Sequence, residues 1–346
     1  FGFVKNSAAD LATVPKGLAG ITKPHSSVNA TPWAFISLAV CMMAGTASLP
    51  HVMMRYFTTP SVRTARRSVG WSLFFIFLLY SSAPMLATLS KISLMDPTLA
   101  TGIIGKSVAD VQALDWYQNW NQANLMFVSD FNGNGTLELN EFFMKGSAVV
   151  LATPEIAGLP YVISGLVAAG GMAAAMSTAD GLVLAISNAL SHDVYYKIIN
   201  PKAETAKRLI VARVLLVLIG FAGATIAALE IQGILGSVIW AFDFAMSGLF
   251  FPLVLGVWWK RANAPGAVAG MLLGLISGTA YLVWVRSGGS GFLGITQLTF
   301  GIVGASVSLV SMIVVSLITA APDAATQKMV DDVRIPSGKT ILGKQH

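Results

Sequence analysis

The sequence predicts an all-α protein built from membrane-spanning helices, and three observations predict it. Apolar residues make up 55% of the 346 and charged residues only 11%, against roughly 25% charged in a soluble domain. A chain so poor in charge cannot cover itself with solvated side chains, so lipid must form part of its surroundings. Seven stretches are also long and apolar enough for a bilayer, which takes about 20 residues in a helix. They run near 33–54, 70–90, 159–191, 207–229, 233–259, 265–285 and 296–320. The third observation is that basic residues alternate between successive loops.

That alternation sets the expected orientation, because loops rich in Lys and Arg stay on the cytoplasmic side. Arg55, Arg63, Arg66 and Arg67 separate spans one and two; Lys197, Lys202, Lys207 and Arg208 separate three and four. Lys260 and Arg261 separate five and six, and Lys328, Arg334, Lys339 and Lys344 follow span seven. The opposite loops carry Glu230 and Arg286, and the stretch 91–158 has more acids than bases. Expected from this are an extracytoplasmic loop 1–32, spans one and two over 33–90, and a second extracytoplasmic loop 91–158. Spans three to five follow over 159–259, spans six and seven over 260–320, and a cytoplasmic tail over 321–346. The lone Cys41 excludes an intrachain disulfide. The chain starts at Phe1, with neither initiator methionine nor signal peptide, and reads as a piece whose earlier spans are missing.

Span one carries Gly45-Thr46-Ala47-Ser48-Leu49-Pro50-His51. Pro50 denies a backbone donor and crowds the preceding turn, while Gly45 tolerates unwinding, so a break is expected over 45–50. Irregular backbone at membrane depth persists only where it is buried in protein or lines a cavity. A plain proline kink is the blander reading, and His51 reads as a simple hydrogen-bonded histidine.

The loop 91–158 contains a twelve-residue stretch, Asp130 to Glu141, that matches the EF-hand calcium pattern. Asp130, Asn132 and Asn134 supply alternate side-chain oxygens, and Gly135 permits the sharp turn. Thr136 would offer its carbonyl, Glu138 would act directly or through water, and Glu141 would close the site bidentately. Helical flanks are expected over 116–128 and 141–145. With three charged ligands, weak binding of Ca2+ as a structural clip is expected; the alternative is a polar turn that binds nothing.

In span three, Ser177 and Thr178 place adjacent hydroxyls in the bilayer, an oxygen set suited to a small monovalent cation. Two residues on, Asp180 is an ionisable group within a span, where it needs a cavity, a partner or a proton. Helix packing by a neutral acid is its alternative. Asp243 in span five raises the same question. Span six carries Gly266, Gly270, Gly274 and Gly278, a flat stripe suited to close packing against another helix.

Taken together these residues resemble the sodium/solute symporter family on its acetate–cation permease branch. The resemblance is carried by Gly45 to Thr58 in span one, by Ser177-Thr178 upstream of Asp193-Val194-Tyr195, and by Trp258-Trp259-Lys260-Arg261 followed by Gly266. It implies the second half of an inverted five-helix-repeat fold, with spans six and seven as additions and the first repeat missing. It also implies a sodium site from the Ala174 carbonyl and the Ser177 and Thr178 hydroxyls, completed by that first repeat. Asp180 would be a second cation or proton site, and unwound Gly45, Thr46, Ala47 and Ser48 would line the substrate cavity. The implied activity is sodium-coupled import of a small organic solute, a short monocarboxylate such as acetate, across a bacterial inner membrane.

Two other function classes compete. A transporter-like sensor of a signalling protein would need more chain than the tail of about 25 residues offers. A calcium-binding scaffold would not need Ser177, Thr178 and Asp180 inside the bilayer. No nucleophile–base pair or metal triad points to an enzyme, and nothing points to nucleic acid.

Overall fold

The computed structural model describes residues 32–334, except 97, 98, 140, 230 and 232. The expected loop before Pro32, the tail after Arg334 and the loop residue Glu230 therefore lie outside the described residues.

The elements follow the apolar pattern. Helix α1 (Pro32–Ser48) bends by 49° into the short α2 (Pro50–Met53), which tightens into a 3-10 turn over Met54–Thr58. Helix α3 (Val62–Met95) leads to α4 (Val108–Gln112) and α5 (Asp115–Gln122). Two short strands, β1 (Met126–Val128) and β2 (Phe142–Met144), precede α6 (Val149–Ile156). Helix α7 (Tyr161–Asn188) runs on as a π-helix over Ala189–Ile199, then α8 (Thr205–Ala228) follows. Helix α9 (Ile234–Ala245) passes through a π-turn (Met246–Phe250) into α10 (Phe251–Trp258). Helices α11 (Ala264–Arg286), α12 (Gly301–Ile318) and α13 (Ala324–Arg334) complete the series. Among the described residues, six helices are long and apolar enough to cross a membrane, and the bent pair α1–α2 makes a seventh.

The described chain divides into two compact units. The first, residues 68–179, holds the ends of α3 and α7 that face the loop region, and that region has its own core. Ile103, Val111, Met126 and Leu137 are sealed from solvent there with Leu94 of α3 and Ala152 of α6. Strands β1 and β2 pair antiparallel, Met126 opposite Met144, so the calcium-type loop sits on a hairpin. This corrects the expectation of helical flanks at 126–128 and 142–144, where the chain is strand, while 116–122 is helical as expected. Each strand is three residues of bulky apolar side chains, too short to show a period of two against a period of 3.6.

The second unit, residues 32–67 and 180–334, packs α1, α9, the π-turn, α11 and α12 together. Helices α11 and α12 form its most extensive pair. All four glycines of the stripe are buried: an added Cβ at Gly266 would fall on Ser316, and one at Gly270 would lie 3.1 Å from Met312 Cβ. Both ends are pinned. Asn263 accepts from Gly266 N–H at 3.0 Å, capping α11, and donates through Nδ2 to Thr319 Oγ1 and Ala320 O at the end of α12. Arg261 donates to Thr319 O at 2.6 Å.

Candidate cation and solute sites

Helix α7 presents the hydroxyl pair because its sequence there is almost wholly small residues, which leave nothing bulky to shield oxygen atoms. Ala174, Ser177 and Thr178 lie on one turn and are all exposed. Thr178 Oγ1 donates to Ala174 O at 3.2 Å, folding back on the preceding turn, while Ser177 has no partner among the described residues. The Ala174 carbonyl thus carries a hydroxyl besides its helical N–H, and a cation would have to turn that hydroxyl away. Three oxygens from one helical turn lie on one side of any ion and cannot enclose it. Further ligands must come from another element.

Asp180 is exposed and has no ion-pair partner among the described residues. Its neighbour Gly181 leaves room for the Arg55 guanidinium, whose Nη2 would lie 3.3 Å from a Cβ at that position. Arg55 therefore rests against the backbone of α7. Further along, Asp193 pairs with Lys197 at 2.9 Å and Arg208 lies 3.7 Å above the Tyr196 ring, which tie the π-helical stretch to itself and to α8.

Span one differs in detail from the expectation. Residues 45–48 are helical, and the break falls at Leu49 (φ −70°, ψ 116°), the residue that Pro50 forces out of the helical region. Gly45 is a close-packing point, since an added Cβ would lie 2.6 Å from Phe242 Cβ on α9. Ser48 is fully buried and donates to Ala44 O at 2.6 Å. Thr46 and Ala47 are exposed, with the Thr46 hydroxyl on Met42 O at 2.7 Å. The four residues thus split between two helix faces, so a solute could touch Thr46 and Ala47 more readily than the other two. His51 Nδ1 is buried without a partner among the described residues, so the simple hydrogen-bonded reading does not hold for that atom.

The calcium-type loop is closed by its own groups. Asp130 accepts from Gly133 and Gly135 N–H at 2.7 and 2.9 Å. Glu141, fully buried, accepts from Phe131 and Glu138 N–H, both at 2.9 Å. Asn132 Oδ1 and Asn134 Oδ1 accept from Asn134 and Thr136 N–H, while both amide nitrogens donate to Glu138 Oε1. Gly133 and Gly135 sit at φ 71° and 70°, which explains their identity. Among the described residues no three His, Cys, Asp or Glu side chains gather as a metal-binding group. The oxygens of the pattern are all present, and these hydrogen bonds draw the loop together.

The residue that sequence reasoning could not place is Asp243. It is fully buried and faces the N-terminus of α12, where the Phe300 and Gly301 backbone N–H groups and the Cys41 thiol are its nearest donors. No sequence signal links residues that far apart; only the presence of an acid in an apolar span marked it.

The fold is that of a polytopic helical membrane protein with one broken span, and α7 carries a turn of exposed carbonyl and hydroxyl oxygens. Residues 145–274 match the sodium:solute symporter family. An uncharacterized symporter of Cupriavidus necator is 39% identical over 310 residues, 87% of this chain and 44% of that relative. The monocarboxylic acid transporter of Corynebacterium glutamicum is 28% identical over 255 residues, 73% of this chain and 39% of that protein. The chain belongs to the sodium:solute symporter family, and it spans less than half the length of these curated relatives.

Proposed function

We propose that this chain is part of a symporter that couples sodium entry to import of a small monocarboxylate, acetate being the first candidate. One observation carries the reading: Ala174 O, Ser177 Oγ and Thr178 Oγ1 share one exposed turn of a bilayer helix, an arrangement that gains nothing from lipid. Hydroxyls facing hydrocarbon cost free energy unless a partner satisfies them. A sodium ion held there against a second element would link the two and stabilise the solute-accepting state, since coupling is a difference of affinity between conformations. The monocarboxylate follows from the name of the Corynebacterium relative and from the resemblance in span one. The basic loops favour a cytoplasmic side for the tail after α12, in a bacterial inner membrane.

The test is uptake of radiolabelled acids by the full-length protein in proteoliposomes with sodium varied. Ser177→Ala should raise the sodium concentration for half-maximal uptake about ten- to a hundredfold, because a hydroxyl on a charged group contributes roughly 1.5–3 kcal/mol. Uptake indifferent to a sodium gradient in the unaltered protein would discard the mechanism.

The loop 130–141 is proposed as a weak calcium clip, favoured by the burial of Glu141 and the two left-handed glycines. Calcium added to the full-length protein should slow proteolysis within 126–144, and Glu141→Gln should remove the effect.

A further inference from the structure

We propose that Asp243 is a proton-binding site whose occupancy changes during the working cycle, a role separate from the oxygen cluster of α7. It rests on the transport reading above for its purpose, though not for its chemistry.

Asp243 lies near the middle of the span Ile234–Trp258 and exposes none of its surface. Neither carboxylate oxygen completes a hydrogen bond of normal geometry within the described structure. From α1 the one titratable group is Cys41, also fully buried, whose thiol points at Thr299 O at 3.8 Å. From α12 only backbone faces it, with a Cβ at Gly301 falling 2.8 Å from Oδ1. The nearest cation on α11, Arg286, is engaged over the Trp240 ring at 5.0 Å, a turn away. On its own helix, Ser247 turns its hydroxyl to the Asp243 carbonyl at 2.7 Å and leaves the carboxylate alone.

An acid so placed needs something to neutralise it. A metal ion is disfavoured, because the nearest donors are N–H groups at a helix N-terminus, whose partial positive charge repels a cation. The same partial charge supports the ionised carboxylate, while burial supports the neutral acid. Two opposed influences on one group make a proton the ligand that can come and go.

The location gives that exchange a consequence. The adjacent Phe242 forms the tight approach to Gly45 on α1, and the next turn is the π-turn Met246–Phe250. A change of charge at residue 243 therefore acts beside the contact that seats the broken span.

The test is infrared titration of the full-length transporter in lipid, from about pH 4 to about pH 9, the range that buried carboxylic acids span. A protonated-carboxyl band should be present at low pH and fade along a single-proton curve. It should be missing from Asp243→Asn at every pH. A band absent throughout, invariant with pH, or governed by sodium concentration instead would overturn the proposal. Should Asp243→Asn fail to fold, Cys41→Ala should displace the midpoint of the same band, and an unmoved midpoint would refute the assignment. In uptake assays the unaltered protein should respond to pH, by up to about tenfold per unit on the flank of a one-proton titration, and Asp243→Asn should respond flatly. Absence of any solute uptake would sink the transport reading while the infrared result still decided the proton site.

Discussion

Helices α8 and α12 are almost equally apolar, yet none of the most apolar window of α8 is buried and 33% of that of α12 is. The difference lies in the register of small residues. Helix α12 turns Gly304, Ser308, Met312 and Ser316 toward the Gly266–Gly278 stripe, so two backbones come within reach of each other's atoms. Helix α8 has Gly220 and Gly223, and a Cβ at either would meet nothing within 4 Å. Hydropathy decides that a segment enters lipid, where apolar side chains gain little from one another; small-residue spacing decides whether it finds a neighbour.

The sharpest way to break this contrast is to enlarge one glycine at the α11–α12 contact and one in α8. At Gly274 an added Cβ falls on Ser247 O, so Gly274→Leu should destabilise by more than about 3 kcal/mol, at the upper end for overpacking. Gly223→Leu should change stability by no more than about 0.5 kcal/mol, the usual span for an exposed site. Thermal unfolding of the full-length protein in detergent measures both, and similar losses would refute the reading.

A smaller effect is expected at the pinned end of the α11–α12 pair. Asn263→Ala removes the cap of α11 and two bonds to the end of α12, and should cost about 1–2 kcal/mol. The same thermal measurement checks it.

The smallest effect belongs to α13. Lys260 donates to Asp331 at 2.7 Å, and with Arg334 it holds the Asp331 carboxyl below the usual carboxylate range. A depressed folded value means that the contribution is complete above the ordinary carboxylate range and lost as pH falls through the depressed value. Protection from hydrogen exchange over 324–334, taken relative to the intrinsic rate at each pH, should therefore fall on acidification, and added salt should weaken the exposed pair. Protection unaffected by acid would show that α13 is held by Val330, its buried apolar residue, alone.

Much of the fold was legible because bilayer spans write themselves as uninterrupted apolar windows, and the glycine stripe announced its own packing. The bend in span one was legible from Pro50, although its place, Leu49, follows from the restriction on the residue before proline and not from Gly45. The β1–β2 hairpin was hidden, since Met126-Phe127-Val128 and Phe142-Phe143-Met144 also suit a short helix. At the candidate site, Ser177 and Thr178 stood out as hydroxyls among alanines. What they face did not, because one turn of helix offers only one side of a coordination shell. The surroundings of Asp243 were invisible for a different reason: Gly301 reaches it through tertiary packing that no local pattern encodes.

The interruption at Leu49 has a mechanical consequence. Upstream, the hydroxyls of Thr46 and Ser48 are tied to carbonyls of their own helix. Downstream, Val52 and Met53 N–H both return to Leu49 O, at 3.2 and 3.3 Å. Each side is internally braced, so rotation about a single residue can swing the following segment like a crank, carrying Arg55 with it and leaving both braces intact. Stiff arms joined at one soft pivot convert a local torsional change into displacement at a distance.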